Sequence, residues 1–346
     1  MQKALRVAII APPFGEIGGP ELTTIQLADA LVANGVSVSL FAPANFTTQA
    51  KIVPTMDQGL STMSGLADMS IFERRNLIIS SQIKILALQD DFDIIHISSQ
   101  RYGYALGNNI HKPMVITLHN QMKLCDYNLL KKTGITTIAL TKKYKELIKA
   151  DEYIYPGIPL EKIKSCFEKG DGLIFIGRLT EQKGVHVAIE IAQKANKKLT
   201  IVGRIGSSAV RRQYFENQIK PQLKKDSVVL IEEISNTELM KLLSKSEALL
   251  FPIIRPETFG RVSIEALACG TPVIGTCIDP LPEILKNKKI ACLSNNIDDL
   301  VLATKNTNLF DRKACRDYAE KYFNISTTAK KHIELYKKII AKANFK

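Results

Sequence analysis

Two carboxylates and two cations stand out by where they fall in the chain. Glu265 lies inside Ile264-Glu265-Ala266-Leu267-Ala268, and a carboxylate in so apolar a helix is costly to bury without a partner. Vicinal hydroxyls of a ribose would satisfy both of its oxygens; a nearby Arg or Lys would serve as well. Glu257 lies in Arg255-Pro256-Glu257-Thr258-Phe259-Gly260, just ahead of that helix. Backbone N–H groups at a helix start can donate to a bound ligand. The other reading of Glu257 is an acid favoured by the helix macrodipole. Each alternative accounts for one acid. Both acids together, followed by Gly270-Thr271-Pro272-Val273, point to a ligand.

Arg178 and Lys183 belong to Gly177-Arg178-Leu179-Thr180-Glu181-Gln182-Lys183-Gly184, between an expected strand and an expected helix. Glycines let backbone approach a ligand closely, and a helix N-terminus attracts anions. The two cations offer charge-assisted hydrogen bonds to phosphate. Taken alone, the segment also reads as a solvated basic turn. Three of the five histidines fall beside these elements: His119 follows the strand Met114–Thr117, His96 lies in Ile94–Ile97, and His186 follows Gly184. A lone histidine after a strand is more often structural. His96 is given no direct role, and His186 a packing or surface role.

The elements that must position these residues alternate between strand and helix. In the first half, the apolar run at 5–11 reads as a strand covered on both faces, and further strands are expected at 36–41, 94–97, 114–117 and 137–140. A helix over 20–32 carries Leu22, Ile25, Ala28 and Leu31 at helical spacing. Residues 46–70 show no clear period and read as loop or short helix. In the second half, strands are expected at 173–176, 199–202, 228–231, 248–251 and 272–275, with helices at 185–195, 236–244 and 260–269. Alternation of this kind implies parallel sheets with helices on both faces. Two such series meet near Tyr155-Pro156-Gly157. The fold class is therefore α/β, with two doubly wound domains, 1–157 and 158–329. Residues 330–346 form a separate C-terminal segment carried by an amphipathic helix read over 326–343, with Ile333, Tyr336, Ile339 and Ile340 on one face, expected to pack back on the first domain. In parallel sheets ligands bind beyond the carboxyl ends of the strands, where all the residues above fall.

Composition narrows the partners. The chain has 346 residues, 47 Lys plus Arg against 34 Asp plus Glu, and a formal charge of +13, which suits anionic partners. The basic residues are dispersed, Trp is absent and no nucleic-acid module is visible, so nucleic acid is not an expected partner. Residues 5–19 lack the compact GxGxxG turn of a nicotinamide dehydrogenase. The six cysteines form no CxxC pair and favour a reducing compartment. Lys3 and Arg6 precede a short apolar run ending in Pro12-Pro13, which reads as a buried strand rather than a signal peptide. No run approaches the ~18 apolar residues of a membrane span.

At this point the chain resembles a known family. Glu257-x7-Glu265 with Gly270-Thr271-Pro272-Val273-Ile274 resembles the signature of retaining glycosyltransferases of family 4, which have the GT-B fold. Gly177-Arg178 and Lys183-Gly184 match that family's diphosphate motif upstream. Gly18-Gly19-Pro20-Glu21 resembles its N-terminal glycine loop, and Pro113-x-Val115-x-Thr117-x-His119 its strand ending in histidine. The resemblance implies two facing Rossmann-like domains with a cleft, acceptor side first and donor side second. It implies that Arg178 and Lys183 hold the donor diphosphate and stabilise the leaving group. Glu265 would bind ribose, Glu257 the donor sugar, assisted by the amides of Thr258, Phe259 and Gly260. Gly18, Gly19, Gly177 and Gly203 would lie against phosphate or nucleoside, Ile234 against the base, and His119 near the transferred sugar. The implied activity is metal-independent transfer of a hexose from a nucleotide sugar, UDP being commonest, to a hydroxyl acceptor, with no cofactor. The acceptor would be a sugar, a lipid-linked glycan or a small molecule. A catalytically inactive nucleotide-sugar-binding homologue is the alternative. The expected location is cytoplasmic. Arg74-Arg75 and Lys142-Lys143 are candidates for contact with the inner membrane face, a solvated surface being the other reading. The chain departs from the family at Ile278-Asp279-Pro280-Leu281, before Pro282-Glu283, and at Glu233 before Ile234.

Overall fold

The computed structural model of the protein describes residues 4–14, 19–63, 69–99, 104–206, 208–224 and 227–344. Gly18 lies outside them. The chain divides into two compact units, residues 1–158 with 325–346, and residues 159–324.

Unit 1 is a seven-stranded parallel sheet. Its elements run β1 (Arg6–Ile10), α1 (Gly19–Ala33), β2 (Ser37–Ala42), β3 (Lys51–Pro54), α2 (Ile71–Ile83), β4 (Ile94–Ile97), β5 (Met114–Thr117), α3 (Leu124–Lys132), β6 (Thr136–Ala139), α4 (Lys142–Ile148) and β7 (Glu152–Tyr153). The strand order is β3-β2-β1-β4-β5-β6-β7. Apolar side chains of β1 alternate between two cores, because helices cover both faces. Val7 and Ile9 join Leu27 and Leu31 of α1 on one face. Ala8 and Ile10 join Tyr127, Leu130, Tyr144 and Ile148 of α3 and α4 on the other.

One expectation needs correction. Residues 46–70, read as loop or short helix, contain β3, paired parallel to β2 from Lys51 to Pro54. It is an edge strand of four residues, its ends exposed and Ile52 and Val53 only half-buried. So short and shallow a strand has neither the apolar run nor the alternation that marks a strand in sequence.

Unit 2 repeats the plan with six strands. Its elements are β8 (Leu173–Ile176), α5 (Val185–Lys194), β9 (Leu199–Val202), α6 (Ala209–Tyr214), β10 (Val228–Ile231), α7 (Asn236–Lys245), β11 (Ala248–Phe251), α8 (Arg261–Ala268), β12 (Val273–Gly275), β13 (Ala291–Leu293), α9 (Ile297–Lys305) and α10 (Arg312–Phe323). The order is β10-β9-β8-β11-β12-β13, all parallel. In both units the chain winds outward from its first strand, returns, and winds the other way. The seam between β8 and β11 is therefore the place where loops diverge and a ligand can enter.

The last helix, α11 (Ile325–Asn344), begins five residues before the expected boundary at 330 and belongs to unit 1. Its most deeply buried stripe is Ile325, Ala329, His332 and Tyr336, spaced to face the α1 side of the sheet. Ile333, Ile339 and Ile340 are half-buried at the margin of that core.

Candidate functional site

In unit 2 the loops flanking the β8–β11 seam are locked together by backbone contacts. Gly177 ends β8 and donates its N–H to Val202 O at 3.0 Å. A Cβ on Gly203 would lie 1.9 Å from Gly177 O, so only glycine allows the ends of β8 and β9 to approach. The loop then turns back: Gln182 O accepts the N–H of Ile254 at 2.9 Å. Gly184 has φ +71°, and a Cβ there would lie 1.9 Å from Pro252 O. The sequence places Lys183 between these constraints, which fixes its backbone against the end of β11.

That placement brings Lys183 and Glu257 together. Lys183 Nζ lies 2.5 Å from Glu257 Oε1, and the two side chains are only 15% and 12% exposed. The ammonium also sits 5.5 Å over the ring centroid of Phe251, an added attraction to the aromatic face. Glu257 Oε1 is buried and receives no directed hydrogen bond. Lys183 therefore holds this oxygen by charge and close approach. The N–H of Glu257 is tied to Asp279 O at 3.0 Å, holding the loop ahead of α8.

Glu265 meets a partner of its own. Arg261, the first residue of α8, donates from Nε to Glu265 Oε1 at 2.7 Å, and both side chains are nearly buried. Gly260, with φ +76°, caps that helix, and Phe259 packs edge-on to Phe323 at 5.9 Å. Thr258 is half-buried and Arg178 exposed on the β8 loop. Ile234 is half-buried just before the Ser235–Glu238 capping box that starts α7. Beside it, Glu233 lies 3.7 Å from Arg204. Sequence reasoning missed the Lys183–Glu257 contact, which joins loops that only the strand order makes neighbours. It also missed Arg261, although the spacing to Glu265 is one helical turn and was readable.

Unit 1 brings a different group together. His119 is buried after β5 and faces a cavity of about 20 Å³, room for about one water, lined also by Thr24, Ser98, Thr117, Thr328 and His332. His96 is fully buried between Tyr336 Oη at 2.6 Å from Nδ1 and Thr117 Oγ1 at 2.7 Å from Nε2. His332 stacks on His96 with ring centroids 5.6 Å apart. Burial holds the His96 imidazole well below its ordinary proton affinity, and His332 and His119 add repulsion of like charge. Burial lowers His332 to about 4. Gly19 opens α1. His186 is half-buried and bonded to Tyr214 Oη at 2.8 Å. Among the described residues no three His, Cys, Asp or Glu side chains converge as metal ligands, and no helix is long and apolar enough to cross a membrane.

Two parallel α/β sheets of the same winding, each with its polar residues beyond the strand ends, define a two-domain GT-B fold. Comparison with known proteins agrees. Residues 160–322 match the family Glycosyl transferases group 1, and residues 17–160 match Glycosyltransferase Family 4. The chain belongs to this glycosyltransferase family. It is 28% identical over 193 residues to an uncharacterised 41.2 kDa protein in the cps region of Klebsiella pneumoniae, covering 51% of each chain. It is 33% identical over 120 residues to an uncharacterised glycosyltransferase of Methanocaldococcus jannaschii, covering 34% of this chain and 30% of that one. The matched part thus spans about half or less of these relatives' length. A D-inositol 3-phosphate glycosyltransferase of Pseudarthrobacter chlorophenolicus is 23% identical over 326 residues, covering 78% and 76%. Among solved structures, a sucrose-phosphate synthase from Thermosynechococcus elongatus superposes with TM-score 0.79 at 18% identity, over 98% of this chain and all of that one. Anabaena HepE, solved with UDP and glucose, gives 0.74 at 16% over 96% and 100%.

Proposed function

We propose that the protein is a retaining glycosyltransferase that moves a hexose from a nucleotide diphosphate sugar, UDP-linked, to a hydroxyl acceptor without a metal ion. The observation that carries this reading is the Lys183–Glu257 contact at the β8–β11 seam, a cation and a carboxylate both largely withdrawn from water. A nucleotide sugar supplies what both residues need: phosphate oxygens for the cation and sugar hydroxyls for the acid. Relatives that carry the name glycosyltransferase, and a neighbour solved with UDP and glucose, favour the same ligand class.

In this reaction the bond from the anomeric carbon to the diphosphate breaks, and one to the acceptor oxygen forms. The acceptor's proton passes to a phosphate oxygen. Lys183, fixed by its loop, and Arg178 on the same loop stabilise the charge that grows on the diphosphate, an interaction stronger in the transition state than in the bound donor. Glu265 takes the ribose and Glu257 the sugar. His119, buried at the end of β5, is assigned to the transferred sugar on its motif. The location is cytoplasmic, with the inner membrane face as a second contact. Phe72, Arg75, Ile79 and Ile83 form one exposed stripe of α2, and Leu124, Leu129 and Leu147 are exposed on α3 and α4 beside Lys132 and Lys143.

The test is thermal stabilisation by UDP, GDP, ADP, TDP and their glucose conjugates in the presence of EDTA, on the wild type and on Arg178→Ala/Lys183→Ala. One nucleotide should stabilise the wild type alone and support transfer to an acceptor. Stabilisation without transfer to any acceptor in a broad panel would favour the inactive homologue. No stabilisation by any nucleotide would remove the reading.

A further inference from the structure

Arg261 occupies a position that helix energetics do not favour. It is the first residue of α8, where a cation opposes the positive end of the macrodipole. Its acid partner lies four residues later, the weaker of the two orders for such a pair on a helix. Both side chains are withdrawn from water, at 12% and 13% exposure, so holding them there costs desolvation that an exposed pair avoids. An arrangement unfavourable on each count serves the carboxylate rather than the helix.

The geometry shows what it does to that carboxylate. Nε is part of a planar guanidinium, and its N–H meets Oε1 at 2.7 Å, which fixes the rotation of the Glu265 side chain. An ionised carboxylate has about four acceptor positions. The bond from Nε takes one on Oε1 and leaves Oε2 its full capacity. Glu265 lies between the buried Ile264 and Ala266.

We propose that Arg261 is a positioning residue: it holds Glu265 in the one orientation that accepts two vicinal ribose hydroxyls, and so sets the preference for ribonucleotides over their deoxy forms. This inference rests on the donor-site reading above. Arg261 acts through Glu265 and is not assigned to the reacting atoms.

The experiment measures Kd for UDP, ADP and GDP, each beside its 2′,3′-dideoxy form, on the full chain. Variants are Arg261→Met, which keeps the apolar stem, and Glu265→Gln. A nucleotide that uses Glu265 should bind the wild type about tenfold or more tightly in the ribo form, the scale of hydrogen bonds to a charged group. Glu265→Gln should collapse that preference. Arg261→Met should reduce it to about threefold or less, with the dideoxy form binding as it does to the wild type. Equal weakening of both forms would overturn the inference and make Arg261 a general charge for the diphosphate. If Glu265→Gln lowers the preference and Arg261→Met leaves it at the wild-type level, the positioning role alone fails. If no nucleotide binds, or Glu265→Gln leaves the preference intact, the donor-site reading fails first and takes the inference with it. Should Arg261→Met not fold, Arg261→Lys, a cation without the planar fork, is judged by the same ratio: a lowered preference supports the role and an unchanged one overturns it.

Discussion

Lowering the pH should loosen unit 1 through His332. The imidazole is buried, its Nδ1 lies 2.9 Å from Thr328 O, and its ring stacks on His96. A carbonyl only accepts, so Nδ1 carries the proton and Nε2 is the position an extra proton would take. Burial lowers the proton affinity from the ordinary 6.5 to about 4. A histidine depressed in the folded state binds protons more readily when unfolded, so stability is full above the unfolded value and falls as pH drops through 6.5 toward 4. Linkage gives a loss of about 2 kcal/mol by about pH 5 and about 3 kcal/mol in all below about pH 4. Burial depresses His96 in the same direction, which adds a loss of the same sign. The assay is urea unfolding followed by circular dichroism at about pH 7.5 and about pH 5. Wild type is compared with His332→Gln, which cannot gain the proton. Carboxylates titrate alike in both proteins, so the difference between them reports His332 together with its repulsion of His96. A wild type that loses no more stability than His332→Gln between those two values would refute the placement of a neutral imidazole in this core.

Two further outcomes follow from the geometry. Gly184→Ala puts a Cβ 1.9 Å from Pro252 O on a backbone with φ +71°, so the β8 loop must withdraw from the end of β11. A loss of about 2 kcal/mol or more in thermal or urea unfolding, together with weaker nucleotide binding, is expected; wild-type stability would show that the approach is not required. On the membrane side, flotation with vesicles of phosphatidylglycerol and phosphatidylcholine should carry the protein, and vesicles of phosphatidylcholine alone should not. Phe72→Asp with Ile79→Asp should abolish the binding, and equal flotation of wild type and variant would rule out α2 as the contact.

Much of this was legible in the sequence because buried parallel strands read as unbroken apolar runs. Residues 7–10 of β1 are all but inaccessible to water, and the sequence there is Val-Ala-Ile-Ile. Where an element is shallow the signal fails. β3 is half-buried at its middle only. α2 buries just Ile78, Ser81 and Gln82 and turns much of its apolar surface outward, so periodicity does not announce it. Its start was readable all the same: Ser70 and Glu73 form a reciprocal capping box. The amphipathic pattern of α11 was visible, but His332 on its buried stripe was not, because a histidine counts as polar until its partners are known. For the site, the unfavourable setting of Glu265 could be read from its neighbours in the chain. The approach of Lys183 to Glu257 could not, since it depends on β8 and β11 lying side by side.

That approach also bears on what the site can select. Each charge holds the other: both side chains are largely withdrawn from water, and Lys183 Nζ lies against the Glu257 oxygen. Inorganic phosphate offers Lys183 an anion but leaves Glu257 beside a second negative charge, with no hydroxyl to relieve it. A free sugar offers Glu257 its donors and brings nothing for the cation. A nucleotide sugar carries both groups on one molecule, a few bonds apart, so Lys183 can turn to the diphosphate while Glu257 takes the hydroxyls. On the proposed reading the pair is a selectivity device as well as a binding site. A ligand that satisfies only one of the two residues has to break their contact without replacing it, and the cost of the stranded charge falls on its affinity.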